Sequence, residues 1–381
     1  MQNIKSKLPN VGTTIFTVMS QLASKYDAIN LSQGFPNFKI DQRLIELVHQ
    51  AMLKGHNQYA PMPGLLSLRE AIAHKTNSLY GSNYHPETEV TVTDGATQAI
   101  FTAIAACVSK GDEVIIFKPA YDSYEPAITL FGGTVVPIQL SAPSFTVDWQ
   151  EVASKINSKT KMVIINTPHN PGGAVLSKED MLQLEKLLCG TNIILLSDEV
   201  YEHIVFDGQK HQSAARFAGL AERTFITASF GKTFHTTGWK MGYCIAPKAL
   251  MEEFRKVHQF NVFCCNHPMQ YALAEYLKTP NNYLSLSSFY QEKRDTFLSL
   301  IKDSRFSYIP SKGTYFQLLN YTTITDENDI KFAERLTKEH KITSIPVSVF
   351  NLNQQDDKVL RFCFAKTDDT LKRAAEVLCN I

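Results

Sequence analysis

The chain carries almost no net charge: 38 lysines and arginines stand against 37 aspartates and glutamates, which leaves +1. A surface without a field of one sign has little to hold a polyanion, so neither nucleic acid nor an anionic membrane is expected as a partner. Long apolar runs are missing as well. None reaches the roughly 18 residues a membrane span needs, and the charged start at 1–7 leads into no apolar stretch like that of a secretory signal. Cysteine offers no framework: seven, an odd number, lie scattered at 107, 189, 244, 264, 265, 363 and 379. That usage reads as reduced, mostly buried thiols in a cytoplasmic protein. Cys264, Cys265, His258 and His267 are close in sequence, but C-x2-C spacing is absent and adjacent cysteines rarely share a zinc, so no metal is expected. Tandem repeats and low-complexity tracts are absent too.

What is present is an ordinary globular composition, 44% hydrophobic and 20% charged, in 381 residues. That length exceeds what one core usually holds, so two domains are expected. Short β-branched runs at 89–93, 113–117, 134–138, 162–166, 193–197, 225–228 and 242–246 alternate with helical patterns at 97–109, 120–131, 149–157 and 178–189. Strand, helix, strand with short loops implies an α/β fold, here a mainly parallel seven-stranded sheet between helices. Several runs are apolar at consecutive positions, as strands covered on both faces must be. Ligands of such sheets sit at the carboxyl ends of the strands.

Beyond about residue 250 the pattern changes to helices at 250–259, 268–277 and 283–302. A β-rich stretch at 315–319, a helix at 329–339, a strand at 359–365 and a helix at 369–379 follow. The expected division is a segment 1–40, rich in Gly, Pro and Asn, packed on the smaller domain; a large domain 41–275; and a smaller α+β domain 276–381.

The strand ends carry the polar residues. Ser229-Phe230-Gly231-Lys232-Thr233 follows one strand. Gly-Lys-Thr suggests a phosphate-binding P-loop, but that motif needs glycine where Ile226 stands, and the nucleotide-hydrolase reading fails. What remains is a lysine among small and aromatic residues. By itself it would be a solvated charge; kept from bulk water its pKa falls, which makes a nucleophilic amine suited to imine chemistry. Asn166-Thr167-Pro168-His169-Asn170-Pro171-Gly172-Gly173, taken alone, is a turn. Asp198, in Ser197-Asp198-Glu199-Val200-Tyr201, is either a helix cap or a buried acid in need of a cation or donor. Thr93-Asp94-Gly95-Ala96-Thr97-Gln98 joins a strand to a helix, whose first amides and the Thr97 hydroxyl suit a phosphate unless the turn is an ordinary cap. Arg361, in Leu360-Arg361-Phe362-Cys363-Phe364-Ala365, lies in an apolar strand, where arginine seldom sits without an anionic partner.

In order, the segments 94–98, 166–172, 198–201, 229–232 and 238–242 resemble the motifs of the class I aminotransferases of the aspartate-aminotransferase fold, and the match spans nearly the whole chain. The resemblance implies fold type I of the enzymes dependent on pyridoxal 5′-phosphate, with Lys232 holding that cofactor as a Schiff base and then carrying the proton. Asp198 is implied as partner of the pyridine nitrogen, Tyr201 and Asn170 of the ring oxygen, and Ser229, Lys240, Gly95, Ala96 and Thr97 as phosphate anchors. Lys240 stands where many members have arginine; it keeps the charge but lacks the bidentate fork. Tyr121 matches an aromatic ring stacked on the cofactor, Arg361 the grip on the substrate α-carboxylate, and Gly34 a glycine whose backbone nears that carboxylate. Tyr59 matches a tyrosine reaching the phosphate of a neighbouring subunit, which implies a homodimer with composite sites.

The segments 31–38 and 345–350 look like the branch of methionine aminotransferases and kynurenine/glutamine transaminases. Phe35, Tyr121 and Phe350 would then form an apolar pocket for methionine, phenylalanine, tyrosine or kynurenine, with a 2-oxo acid as acceptor and ping-pong kinetics. The alternatives are a β-lyase of cysteine S-conjugates built on the same lysine, and an aminotransferase of other specificity such as aspartate. A cofactor-sensing transcription regulator would need a basic DNA-binding extension, and a nicotinamide oxidoreductase a Gly-x-Gly-x-x-Gly turn; the sequence offers neither.

Overall fold

Alternation along the strands builds two cores. The structure, a computed structural model, describes residues 5–381. Its main sheet has seven strands: β1 (Val90–Thr93), β2 (Glu113–Lys118), β3 (Thr134–Gln139), β4 (Thr160–Asn166), β5 (Ile194–Asp198), β6 (Thr224–Ser229) and β7 (Gly242–Ile245). Their spatial order is β1-β7-β6-β5-β4-β2-β3. Neighbours run parallel except β7, which is antiparallel to both β6 and β1. Leu195, Val163 and Ile115 face one hydrophobic cluster, while Ile194, Leu196, Ile164 and Ile116 face the other. A period of two with both faces covered explains why these runs are apolar throughout. Pro137 is tolerated because β3 is an edge strand.

Helices Gly95–Cys107, Trp149–Lys155 and Lys178–Leu188 stand within two residues of expectation. The helix expected at 120–131 starts only at Tyr124, after a turn in which the Tyr124 amide donates to the Tyr121 carbonyl at 3.2 Å. The pattern at 283–302 is two helices, Asn281–Leu284 and Leu286–Leu300. Helices Ile15–Tyr26, Gln42–Leu53 and Leu66–Tyr80 were not expected from the sequence.

The C-terminal part holds a three-stranded antiparallel sheet, Ile345–Pro346, Val359–Cys363 and Phe316–Asn320 in spatial order. The N-terminal segment meets the same part of the chain: Ile29–Asn30 and Ile342–Thr343 form a separate two-stranded parallel sheet, and the Cys363 amide donates to the Leu31 carbonyl at 2.8 Å. Residues 1–4, which share the expectations for the N-terminal segment, lie outside the described residues. Fewer thiols are buried than the sequence suggests. Cys244, Cys265 and Cys363 are buried, but Cys189 and Cys379 are exposed, the first capping a helix and the second ending one; all seven are unpaired. Among the described residues no helix is long and apolar enough to cross a membrane.

A buried polar cluster ties helix Leu66–Tyr80 to the sheet. Lys75 Nζ lies 2.5 Å from Glu202 Oε1 and 2.7 Å from the Tyr243 hydroxyl, and the Tyr80 hydroxyl donates to Glu202 Oε2 at 2.5 Å. Burial alone would raise the Glu202 carboxyl, but Lys75, His203 and Tyr80 outweigh it and hold the group well below the usual carboxylate range. The ionised pair therefore contributes stability at neutral pH that is lost as acid reaches Glu202. Lys75→Met leaves that carboxylate buried without its cation and is expected to cost about 3–5 kcal/mol in urea melts at pH 7. The loss should shrink as the pH falls below the normal carboxylate range; a melt within 1 kcal/mol of the parent at pH 7 would show that the pair is not a stabilising one.

Candidate active site

The carboxyl ends of β4, β5 and β6 meet at one edge of the sheet, with Asn166 opposite Asp198 and Asp198 opposite Thr227. Asn166 organises the turn that follows it. Its Nδ2 donates to the Asp198 carbonyl at 3.0 Å, and its Oδ1 accepts from the Asn170 amide at 2.8 Å. The turn brings the Asn170 side chain over the same crevice, where its Oδ1 accepts from Arg361 Nη1 at 2.8 Å.

Asp198 is 3% exposed. Its Oδ2 accepts from the Tyr124 hydroxyl at 2.5 Å and its Oδ1 from the Val200 amide at 3.4 Å. Burial drives its pKa up to about 6, against the pull of these two donors.

Lys232 lies in the short helix Phe230–Thr233, which Ser229 caps: Ser229 Oγ accepts from the Lys232 amide at 3.4 Å. The ammonium donates to the Gly34 carbonyl at 3.0 Å, and the Tyr315 hydroxyl donates to the same oxygen at 2.6 Å. Protein closes around the amine, and this desolvation lowers its pKa to about 8, helped by Arg361 and Lys240 and opposed by Cys363 and Asp198.

Helix Gly95–Cys107 points its first turn at the crevice. Asp94 makes no side-chain cap, so the leading amides of a thirteen-residue helix are left to a ligand. Gly95 has φ +73°, the left-handed region that suits glycine. A Cβ on Gly242 would stand 2.7 Å from the Ala228 carbonyl oxygen and 2.9 Å from the Ala96 amide, so the helix start can rest on β7 because that residue has no side chain. Lys240 reaches in beside it: a Cβ on Gly95 would come within 3.3 Å of Lys240 Nζ.

At the other end Arg361, 1% exposed, lies flat on Phe316 with 3.9 Å from guanidinium carbon to ring centroid. Its Nη2 donates to the Ser32 carbonyl at 2.9 Å, while Nε has no partner among the described residues. With five N–H donors and two in use, the fork keeps three for an anion. Gly34 has no room for a side chain, since a Cβ there would be 2.8 Å from Phe316 Cζ.

These parts enclose one cavity of roughly 360 Å³. Of the residues singled out in the sequence, Gly34, Phe35, Gly95, Ala96, Thr97, Tyr121, Asn170, Asp198, Tyr201, Ser229, Lys232, Lys240 and Arg361 all line it. Two do not. Phe350 stops one ring short: it packs tilted against Phe16 at 5.6 Å between centroids, and Phe16 forms the wall. Tyr59 stands 82% exposed on the surface, edge-on to Phe263 at 5.4 Å. The structure adds Phe16, Gln33 and Phe316 to the lining. Sequence signals for them were thin, because Phe16 lies in the unexpected helix Ile15–Tyr26 and Phe316 in an ordinary apolar strand. The site thus offers an anion cradle, a buried carboxylate, an amine of lowered pKa and an arginine fork, separated by aromatic walls.

The family model for aminotransferase class I and II matches residues 26–378. The chain belongs to that family and is a transaminase. Among its relatives, the methionine aminotransferase of Escherichia coli (strain K12) is 48% identical over 375 residues, covering 98% of this chain and 97% of the relative. Kynurenine–oxoglutarate transaminase 3 of Homo sapiens is 34% identical over 403 residues, covering 98% and 89%. The crystal structure of YbdL from Escherichia coli, identified as having a methionine aminotransferase function, superposes over 100% of both chains with a TM-score of 0.98 at 48% identity. The expected class I fold and mainly parallel sheet are those of the family.

Proposed function

We propose that the protein moves the amino group of an apolar or aromatic amino acid, methionine-like by preference, to a 2-oxo acid with pyridoxal 5′-phosphate as cofactor. One observation carries this reading. Lys232, Asp198, Tyr201, Asn170 and Arg361 converge on a cavity whose side walls are Phe16, Phe35, Tyr121 and Phe316.

The residues fit the cofactor. The uncapped helix start at Gly95, Ala96 and Thr97, with Ser229 and Lys240, would hold its phosphate. Asp198 would face the ring nitrogen, Tyr201 and Asn170 the ring oxygen, and Tyr121 the ring itself. Bound there, pyridoxal 5′-phosphate supplies an aldehyde for the amino group and a protonated ring that withdraws electrons from the α-carbon. Arg361 binds and orients the α-carboxylate through its unused donors, assisted by the backbone at Gly34. Lys232 Nζ would take the proton that leaves the α-carbon and deliver it to the cofactor carbon that bears the transferred nitrogen. The aromatic walls keep water out and favour apolar side chains, by a few kcal/mol between similar substrates, so overlapping activities are expected. The 48% identity to a methionine aminotransferase supports methionine over the other candidates.

Exposed Tyr59, Phe263, Phe260 and Leu53 support the homodimer with Tyr59 reaching the partner's site. The unpaired cysteines support a cytoplasmic location. The test is a panel of single amino acids offered to the cofactor-loaded protein, scored by conversion of the cofactor to its amine form. Methionine and the aromatic amino acids are expected to convert it fastest, and aspartate slowest. Faster conversion by aspartate would overturn the substrate assignment, and pyruvate with ammonia from a cysteine conjugate, without amino exchange, would mark a β-lyase.

A further inference from the structure

The Asp198 carboxylate is buried yet has few donors. Tyr124, itself buried, supplies the short one at 2.5 Å, and its hydroxyl makes no other hydrogen bond among the described residues. The Tyr124 ring is fixed edge-on against Tyr121, with centroids 5.7 Å apart, and opens helix Tyr124–Leu130. Burial and the adjacent carboxylate keep the Tyr124 hydroxyl protonated far above its usual range, so it remains the donor.

The other titratable groups around Asp198 come from three more places. Lys232 faces it from helix Phe230–Thr233, Tyr121 from the loop before Tyr124, and Tyr201 and Glu199 from the segment after β5. Glu199 repels it and adds to the upward push of burial, while its own carboxylate is engaged by Ser197 Oγ at 2.8 Å, the Ala214 amide at 2.9 Å and His211 Nε2 at 2.8 Å. Of the groups that oppose the upward push of burial on Asp198, Tyr124 is the strongest and Lys232 weaker.

We propose that Tyr124 is a positioning residue for the transaminase reaction, holding the Asp198 carboxylate ionised and aimed into the cavity so that it can pair with a protonated ring nitrogen. This rests on the pyridoxal 5′-phosphate reading above. A packing role alone would need the ring of Tyr124 and not its oxygen. The oxygen is what the geometry spends on Asp198.

Tyr124→Phe separates the two roles. The probe is pyridoxamine 5′-phosphate, whose binding needs the ring nitrogen partner but no bond to Lys232. At pH 7 the variant is expected to bind it at least about tenfold more weakly than the parent, the lower end of what one hydrogen bond to a charged group contributes. Losing a donor that favours the charged form raises the Asp198 pKa, so the acid limb of the affinity profile should move to higher pH by about one unit. In an Asp198→Asn background the same Tyr124→Phe change should have little further effect. Equal losses in both backgrounds would show that Tyr124 acts by packing, and unchanged affinity and pH profile in the single variant would likewise overturn the proposal. Failure of the parent itself to bind the probe would instead remove the cofactor reading, and this proposal with it.

Discussion

Lys232→Ala is expected to lower turnover by at least about a thousandfold, the scale of losing a positioned proton carrier and nucleophile together. It should also carry no pyridoxal label after borohydride reduction, whereas the parent should carry one, on Lys232. The reason is the environment of the amine. With a pKa near 8, roughly one molecule in ten has a neutral amine at pH 7, against roughly one in 2,500 for an ordinary lysine. The chain thus raises the reactive population by more than a hundredfold before any substrate arrives. Burial does most of this, and the neighbouring Arg361 and Lys240 add to it. The same shift has a thermodynamic signature. Because the folded protein releases this proton at lower pH than the unfolded chain does, stability rises with pH between about 8 and the ordinary lysine value near 10.4. Cofactor-free parent should therefore gain stability relative to Lys232→Met across that window in urea melts. Turnover of Lys232→Ala within tenfold of the parent, or a borohydride label on another lysine, would remove Lys232 from the chemistry.

Lys232 and Asp198 were legible in the sequence for a physical reason. Asp198 ends a strand whose apolar run marks it as covered, and Lys232 stands three residues beyond the end of another, so both side chains emerge at the carboxyl end of the sheet, where a ligand binds. The order of the strands themselves was not legible, since β7 turns antiparallel between β6 and β1 without any mark in its residues. Tyr124 was hidden differently. It lies 74 residues from the carboxylate it serves, and a tyrosine opening a helix reads as packing. Phe350 differs again: the resemblance of 345–350 to the methionine and kynurenine branch implies a pocket residue, but sequence does not say that Phe16 stands in front of it.

Helix Leu66–Tyr80 escaped because buried Arg69, Lys75 and Thr76 interrupt its apolar stripe. Lys75 is buried for the sake of partners far along the chain, Glu202 and Tyr243, and no local pattern encodes such pairs. Helix Gln42–Leu53 is the plainer case. Leu44, Val48 and Ala51 recur at helical spacing and are the residues it buries, so its signal is present in the sequence.

Arg361→Ala is expected to raise KM and lower kcat for every amino acid tried, with kcat/KM falling about a hundredfold to a thousandfold. Truncating one partner of a buried, hydrogen-bonded charge pair costs about 2–5 kcal/mol, and two effects share that loss here. The first is the grip on the carboxylate common to all amino acid substrates, which makes the loss uniform across side chains. The second is preorganisation. Arg361 holds Asn170 Oδ1 and the Ser32 carbonyl and lies on the Phe316 ring, so its removal loosens three walls of the site at once, and kcat falls along with binding. Arg361→Lys separates them. A lysine restores the charge without the planar fork or the stacking, so it should recover part of KM and little of kcat. A deficit confined to one substrate would place Arg361 at the side-chain end of the cavity, and full recovery by lysine would mean that charge alone, not the fork, does the binding.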